Sequence, residues 1–227
     1  PRHYREQESR KYLSRLSTTL APERSPSTLS YGAIYHPWVH SRDERGAIAV
    51  IPPDGVAVGV MAARAATRGA WVAPANQNYR GVVALDQRLA GALEDDTPIN
   101  LVRDEPQGFM ALRADTLDTV DPDLRLINVR RLLILLRRLA LREGATYAFE
   151  PNGSALRRLV QSRFEGLLRS MYDRGALGGP TAAHAYQVST GETVNTPQSV
   201  DQGRLIVELR VRPSLPMEFI TVRLVQR

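Results

Sequence analysis

The chain contains no cysteine. Disulfide stapling and thiolate metal sites are therefore excluded, which suits a cytoplasmic product. Lysine is nearly absent too: Lys11 is the only one, so arginine carries the positive charge. Arginine's planar fork suits fixed ion pairs better than a loose basic cloud. No apolar run approaches the ~18 residues that a spanning helix needs. The richest run, residues 132–141, is broken by Arg137 and Arg138. The first residues are polar and charged, so they do not read as a secretory leader. Aromatics make up only 6% and form no basic alternating stripe. That argues against the stacking platforms of nucleic-acid modules. HExxH, GxSxG, P-loop and GxGxxG motifs are all missing.

What remains is ordinary globular composition: 227 residues, 43% hydrophobic and 24% charged. The net charge of +6 permits nucleic-acid binding, but the arginines are scattered rather than gathered in one patch. A mixed α/β (α+β) class is expected, because helical and strand patterns interleave throughout. Residues 1–30 read as an N-terminal helix and connector, and residues 31–227 as one core domain. The chain begins at Pro1, not methionine, so more protein is expected upstream.

Along the chain, residues 2–20 read as a polar helix with a narrow stripe of Tyr12, Leu13 and Leu16. Residues 31–39 alternate as a strand that Pro37 confines to an edge or an end. Residues 56–67 have helical spacing, and residues 81–93 suggest a short strand and a short helix. Residues 99–103 and 109–113 read as paired strands. Residues 127–142 form an apolar helix expected to be largely buried, with Arg131, Arg138 and Arg142 on one stripe. Residues 147–150 suggest a strand. Asn152 is then placed to cap a long helix from Ser154. Its expected core face is Leu156, Leu159, Val160, Phe164, Leu167, Leu168 and Met171. Gly175, Gly178, Gly179 and Pro180 stop it. Strands are expected at 185–189, 204–211 and 219–225.

No catalytic, cofactor-binding or metal residue is assigned. His36 and His40 lie four apart, but Pro37 and Trp38 between them argue against a helical zinc pair. Gly55 and Gly59 lack the third glycine and the lysine of a phosphate loop, and close backbone packing is the expected reason for them. Glu94, Asp95 and Asp96, and Asp115, Asp118, Asp121 and Asp123, read as loop and cap carboxylates.

Eight ordered segments carry a family resemblance. They are residues 31–38 (YGAIYHPW), 50–59 (VIPPDGVAVG), 66–76 (ATRGAWVAPAN), 99–103 (INLVR), 128–132 (NVRRL), 149–152 (FEPN), 175–178 (GALG) and 216–219 (PMEF). Together they resemble the core of the contractile tail sheath family of phage tails, bacteriocins and contractile injection systems. His36, Asp54 and Met217 depart from the family's usual residues. An N-terminal arm and an outer domain common in the family are not seen.

The resemblance implies a helix-flanked mixed sheet with extended terminal segments that exchange strands between subunits. It implies a structural subunit, without enzyme activity, that stacks as hexameric rings around an inner tube and contracts to drive that tube through a target envelope. The implied partners are other copies, the inner tube protein, and baseplate and cap proteins, with no membrane span and no nucleic acid. Assembly would take place in the bacterial cytoplasm, in a particle open to later release. A baseplate or cap component is the alternative within the family, and a basic nucleic-acid binder the alternative outside it. By its place in the family, helix 154–173 would grip the tube through Arg158, Ser162, Glu165 and Arg169, with Arg157 and Arg163 on the flanks. Glu165 is positioned to pair with Arg169. Phe219, Ile220, Thr221, Val222, Arg223, Leu224 and Val225 would form an inter-subunit strand.

Overall fold

A computed structural model describes residues 6–20, 26–86, 97–214 and 220–225. The chain divides into two compact units, Pro1–Arg130 and Arg131–Arg227.

In the first unit, the polar N-terminal pattern forms α1 (Glu6–Leu20). Ser9, on its buried side, shares a 3.2 Å hydrogen bond with the His36 ring. Leu13 packs against Ile99 and Leu101, so one narrow stripe is enough to seat the helix. The expected strand at 31–39 is split in two. β1 (Ile34–His36) ends at Pro37, and β2 (Val39–Arg42) belongs to another sheet. Proline has no N–H to donate, so the ladder cannot run through it.

β1 lies parallel to β5 (Ile99–Glu105), and β5 is antiparallel to β6 (Gly108–Ala111), as the paired pattern there predicts. β2 sits between β3 (Ile48–Ile51) and β4 (Val82–Leu85) in a second, antiparallel sheet. The short helix expected after β4 falls outside the described residues.

Asn100 ties the first sheet to the loop that follows β6. Its amide donates to the carbonyls of Ile34 (3.2 Å) and Asp115 (2.8 Å). Its oxygen accepts from the Asp115 N–H at 2.7 Å. α2 (Asp54–Arg68) packs on this scaffold through Ala57, which joins Tyr79, Val102 and Ala111 in the core. Gly69 ends α2 at φ +105, and a Cβ there would meet the Trp71 indole at 2.4 Å.

The carboxylates of the next loop are turn and cap groups, as expected. Asp118 accepts from the N–H groups of Val120 and Asp121, and Asp121 accepts from that of Asp123. Asp115 pairs with Arg113 and Arg125.

α3 (Ile127–Ala145) crosses the division between the units. Leu132, Leu136 and Ala140 are buried, but Leu141 is 60% exposed, so the apolar helix is not covered all round. The strand expected at 147–150 does not form. Successive i→i−3 hydrogen bonds wind this stretch into turns, and Phe149 takes φ +70, far from extended backbone.

In the second unit, α4 (Ser154–Asp173) is followed by α5 (Ala182–Ala185), β7 (Tyr186–Ser189), α6 (Pro197–Asp201), β8 (Ile206–Val211) and β9 (Ile220–Val225). The strands form one antiparallel sheet in the order β7-β8-β9. Among the described residues the chain is thus mixed α/β, with helices and three small sheets.

Candidate functional site

The second unit holds both features that the family resemblance singles out. α4 begins at Gly153, which has extended backbone and no capping side chain. Asn152 is not the cap. Its amide reaches across to the Arg204 carbonyl at 2.9 Å, so it pins the helix entry to the segment before β8. The other end closes as a Schellman turn. Ala176 N–H donates to Met171 O, Gly175 N–H donates to Tyr172 O, and Gly175 sits at φ +75.

The 3.6-residue period sorts the side chains. Val160, Phe164, Leu168 and Met171 are buried on one face. Leu159, expected in the core, is 49% exposed. It lies about a third of a turn from that buried row. The helix axis is held by Thr190, a buried residue after β7. Its hydroxyl lies 3.2 Å from the Arg157 carbonyl and 3.0 Å from Gln161 Oε1 and shares its one proton between these acceptors.

Thr190 is itself held by Asn195. The Asn195 amide donates to the carbonyls of Thr190 (2.9 Å) and Ile206 (2.8 Å), and its oxygen accepts from Ile206 N–H at 2.7 Å. A relay therefore runs from α4 through Thr190 and Asn195 to β8. Sequence reasoning missed both residues, because the signal is a buried polar pair in a loop and no periodicity marks it.

Opposite the buried row, Arg158, Ser162, Arg163, Glu165 and Arg169 are exposed, and Arg157 is half-buried. The expected Glu165–Arg169 pair is not made. Arg169 instead forks onto Asp173, one turn later, at 3.0 and 3.2 Å. Glu165 accepts from Gln161 at 2.8 Å. Tyr186 on β7 lies by this face. Burial raises its phenol pKa first; Arg169 acts against that, and Glu165 and Asp173 add to it. The surface therefore alternates in sign and is not a simple basic patch.

β9 runs antiparallel to β8 of its own chain, in register from Ile206↔Val225 to Val211↔Ile220. Residues 220–225 thus form the outer strand of the sheet, and Phe219 lies outside the described residues.

Comparison with known proteins gives this arrangement its class. Residues 119–227 match the phage tail sheath C-terminal domain. The contracted-state sheath complex of PVC, an extracellular contractile injection system, is 29% identical, with a TM-score of 0.73 over 87% of this chain and 56% of that one. The contracted helical sheath of the anti-feeding prophage is 28% identical, with a TM-score of 0.72 over 86% of this chain and 56% of that one. The sheath tail protein of Desulfitobacterium hafniense shares the fold, with a TM-score of 0.61 at 14% identity over 98% of this chain and 54% of that one. No curated protein sequence matches the chain.

These likenesses are to structural components of contractile tail machinery and do not support nucleic-acid binding. The chain is thus similar to contractile tail sheath proteins, and its residues 119–227 match the C-terminal domain of that family. It spans a little over half the length of the solved relatives it matches.

Proposed function

We propose that this chain is a structural subunit of a contractile sheath. It packs with copies of itself as stacked rings, six to a ring, around an inner tube, in a particle assembled in the bacterial cytoplasm. Its work is mechanical and not catalytic: contraction forms additional contact between subunits and so moves between two packings of the same lattice. The likeness to two contracted sheaths over most of the chain carries this reading.

Within it, the outward face of α4 grips the tube. Arg158, Arg163 and Arg169, alternating with Ser162 and Glu165, would meet acidic groups on the tube, with Arg157 at the margin. Exposed pairs contribute only about 0–1 kcal/mol each. Such contacts can break on firing, while repetition around each ring holds the tube beforehand. Arg158→Glu with Arg169→Glu should weaken sheath assembly on purified tubes. Extended sheaths of normal length from that double variant would refute the grip.

The second element is β9. Donated to a neighbouring subunit's sheet, residues 219–225 would link copies by strand addition. The six-residue register on β8 is the pairing that such an exchange would reuse. Removing residues 220–227 should leave a folded chain that does not polymerise; sheaths built from it would sink the linking role.

A baseplate component is the second reading, because the anti-feeding prophage baseplate is also similar, at 28% identity and a TM-score of 0.75. Negative-stain microscopy separates the two. Long striated cylinders indicate a sheath, and short discs a baseplate part.

A further inference from the structure

α2 carries a feature that neither the tube grip nor the linking strand uses. Gly55 and Gly59 were expected to allow close packing of backbone, yet among the described residues no atom beyond the adjacent residues and the helix's own backbone lies within 4 Å of a Cβ built at either position. They line a groove of about 760 Å³ along the helix, together with Ala63 and, at one end, Arg64, Arg68 and Arg80.

None of these three arginines has a carboxylate partner among the described residues, and Arg64 Nε is buried without a hydrogen-bond acceptor. Burial, and then the neighbouring Arg68 charge, lower the Arg64 pKa from its ordinary value. The groove holds no aromatic residue on which a base could stack, which disfavours a nucleic-acid strand. Its chemistry calls instead for an apolar surface flanked by carboxylates.

The same unit presents that chemistry elsewhere. A second groove, of about 770 Å³, is lined by Val83, Leu85 and Phe109 with Asp104 and Glu105. Val83 is 41% exposed. Neither carboxylate has a side-chain partner among the described residues, whereas Arg103 on the same wall is already engaged within the chain.

We propose that the basic α2 groove of one copy receives the acidic β4–β5 surface of a second copy. The two patches differ, so the contact is head-to-tail, and repeating it generates a ring or a helix. This inference rests on the reading of the chain as a self-assembling subunit.

Sedimentation of the full chain tests it by charge exchange. Arg64→Glu with Arg68→Glu should weaken self-association about tenfold or more, and Asp104→Arg with Glu105→Arg should do the same. Combining all four changes restores opposite charge across the contact and should return affinity to within about threefold of the unaltered chain. No rescue in the combined variant, no loss in either pair, or an unaltered chain that does not self-associate each overturns the proposal.

Should a charge variant fail to fold, cysteine pairing replaces it, helped by the absence of native cysteine. Mixing Gln77→Cys with Glu105→Cys chains should give disulfide dimers that neither forms alone; no cross-linked species overturns the contact. If cylinders form around tubes without charge-exchange rescue, the inference fails while the sheath reading stands.

Discussion

α2 and α4 are both amphipathic, arginine-bearing helices, yet they are held in opposite ways. α4 inserts four large side chains into its own unit and turns outward a face whose charges partly satisfy one another. α2 buries one residue, Ala57, and leaves bare glycines beside arginines with no carboxylate partner among the described residues. α4 is therefore complete within the chain and can work as a rigid platform. α2 has packing and charge left over, as expected of a surface finished by a second molecule. Net charge does not explain the difference, since α4, with four arginines against Glu165 and Asp173, is more basic than α2, with Arg64 and Arg68 against Asp54. What separates them is whether the counter-charge lies within reach on the same helix, as Asp173 does for Arg169.

Phe164→Ala should break this comparison most severely. It removes a 3%-exposed side chain from the anchor of α4 and should cost about 3–5 kcal/mol, read by urea unfolding. A loss below about 1 kcal/mol would mean that α4 is not the anchored helix.

Asn195→Leu comes next. It strips partners from two carbonyls and one N–H and should cost about 2–4 kcal/mol, with faster amide exchange at Ile206 as the local signature. Gly69→Ala should cost about 1–3 kcal/mol, because any side chain there is strained at positive φ and drives into Trp71.

Gly59→Ala sharpens the contrast by reversing sign. Alanine meets nothing beyond its own helix among the described residues and favours the helix, so the isolated chain should gain about 0.5–1 kcal/mol in thermal or urea melts. The same methyl intrudes on the α2 groove and should weaken self-association. The smallest effect belongs to Asp173→Asn. Its exposed pair with Arg169 is worth at most about 0.5 kcal/mol, so stability should barely change.

Much of the fold was legible in the sequence. The β5–β6 hairpin, α2, α3, α4 and the closing strands follow from periodicity and from Gly and Pro punctuation. The errors share one cause. Residues 147–150 look like a strand by composition, but tight turns at the end of α3 claim their backbone. Asn152 has the right chemistry to cap α4, but a carbonyl 52 positions away competes for its amide and wins. Glu165 has the spacing to reach Arg169, but Asp173 has the same spacing and takes the guanidinium.

The sequence by itself determined the resemblance to contractile tail sheaths, the class of fold and most of the helices and strands, because hydrophobic period and breaker residues act over a few positions. Only the tertiary structure decided which polar groups are spent and which remain open. Among the described residues, Asn100 and Asn195 became buried three-bond ties, Gly55 and Gly59 were left bare, and Arg64, Arg68 and Arg80 line one groove without a carboxylate. Hydrogen bonds and ion pairs are settled by whichever partners the folded chain brings within about 3–4 Å, and local spacing does not encode that distance.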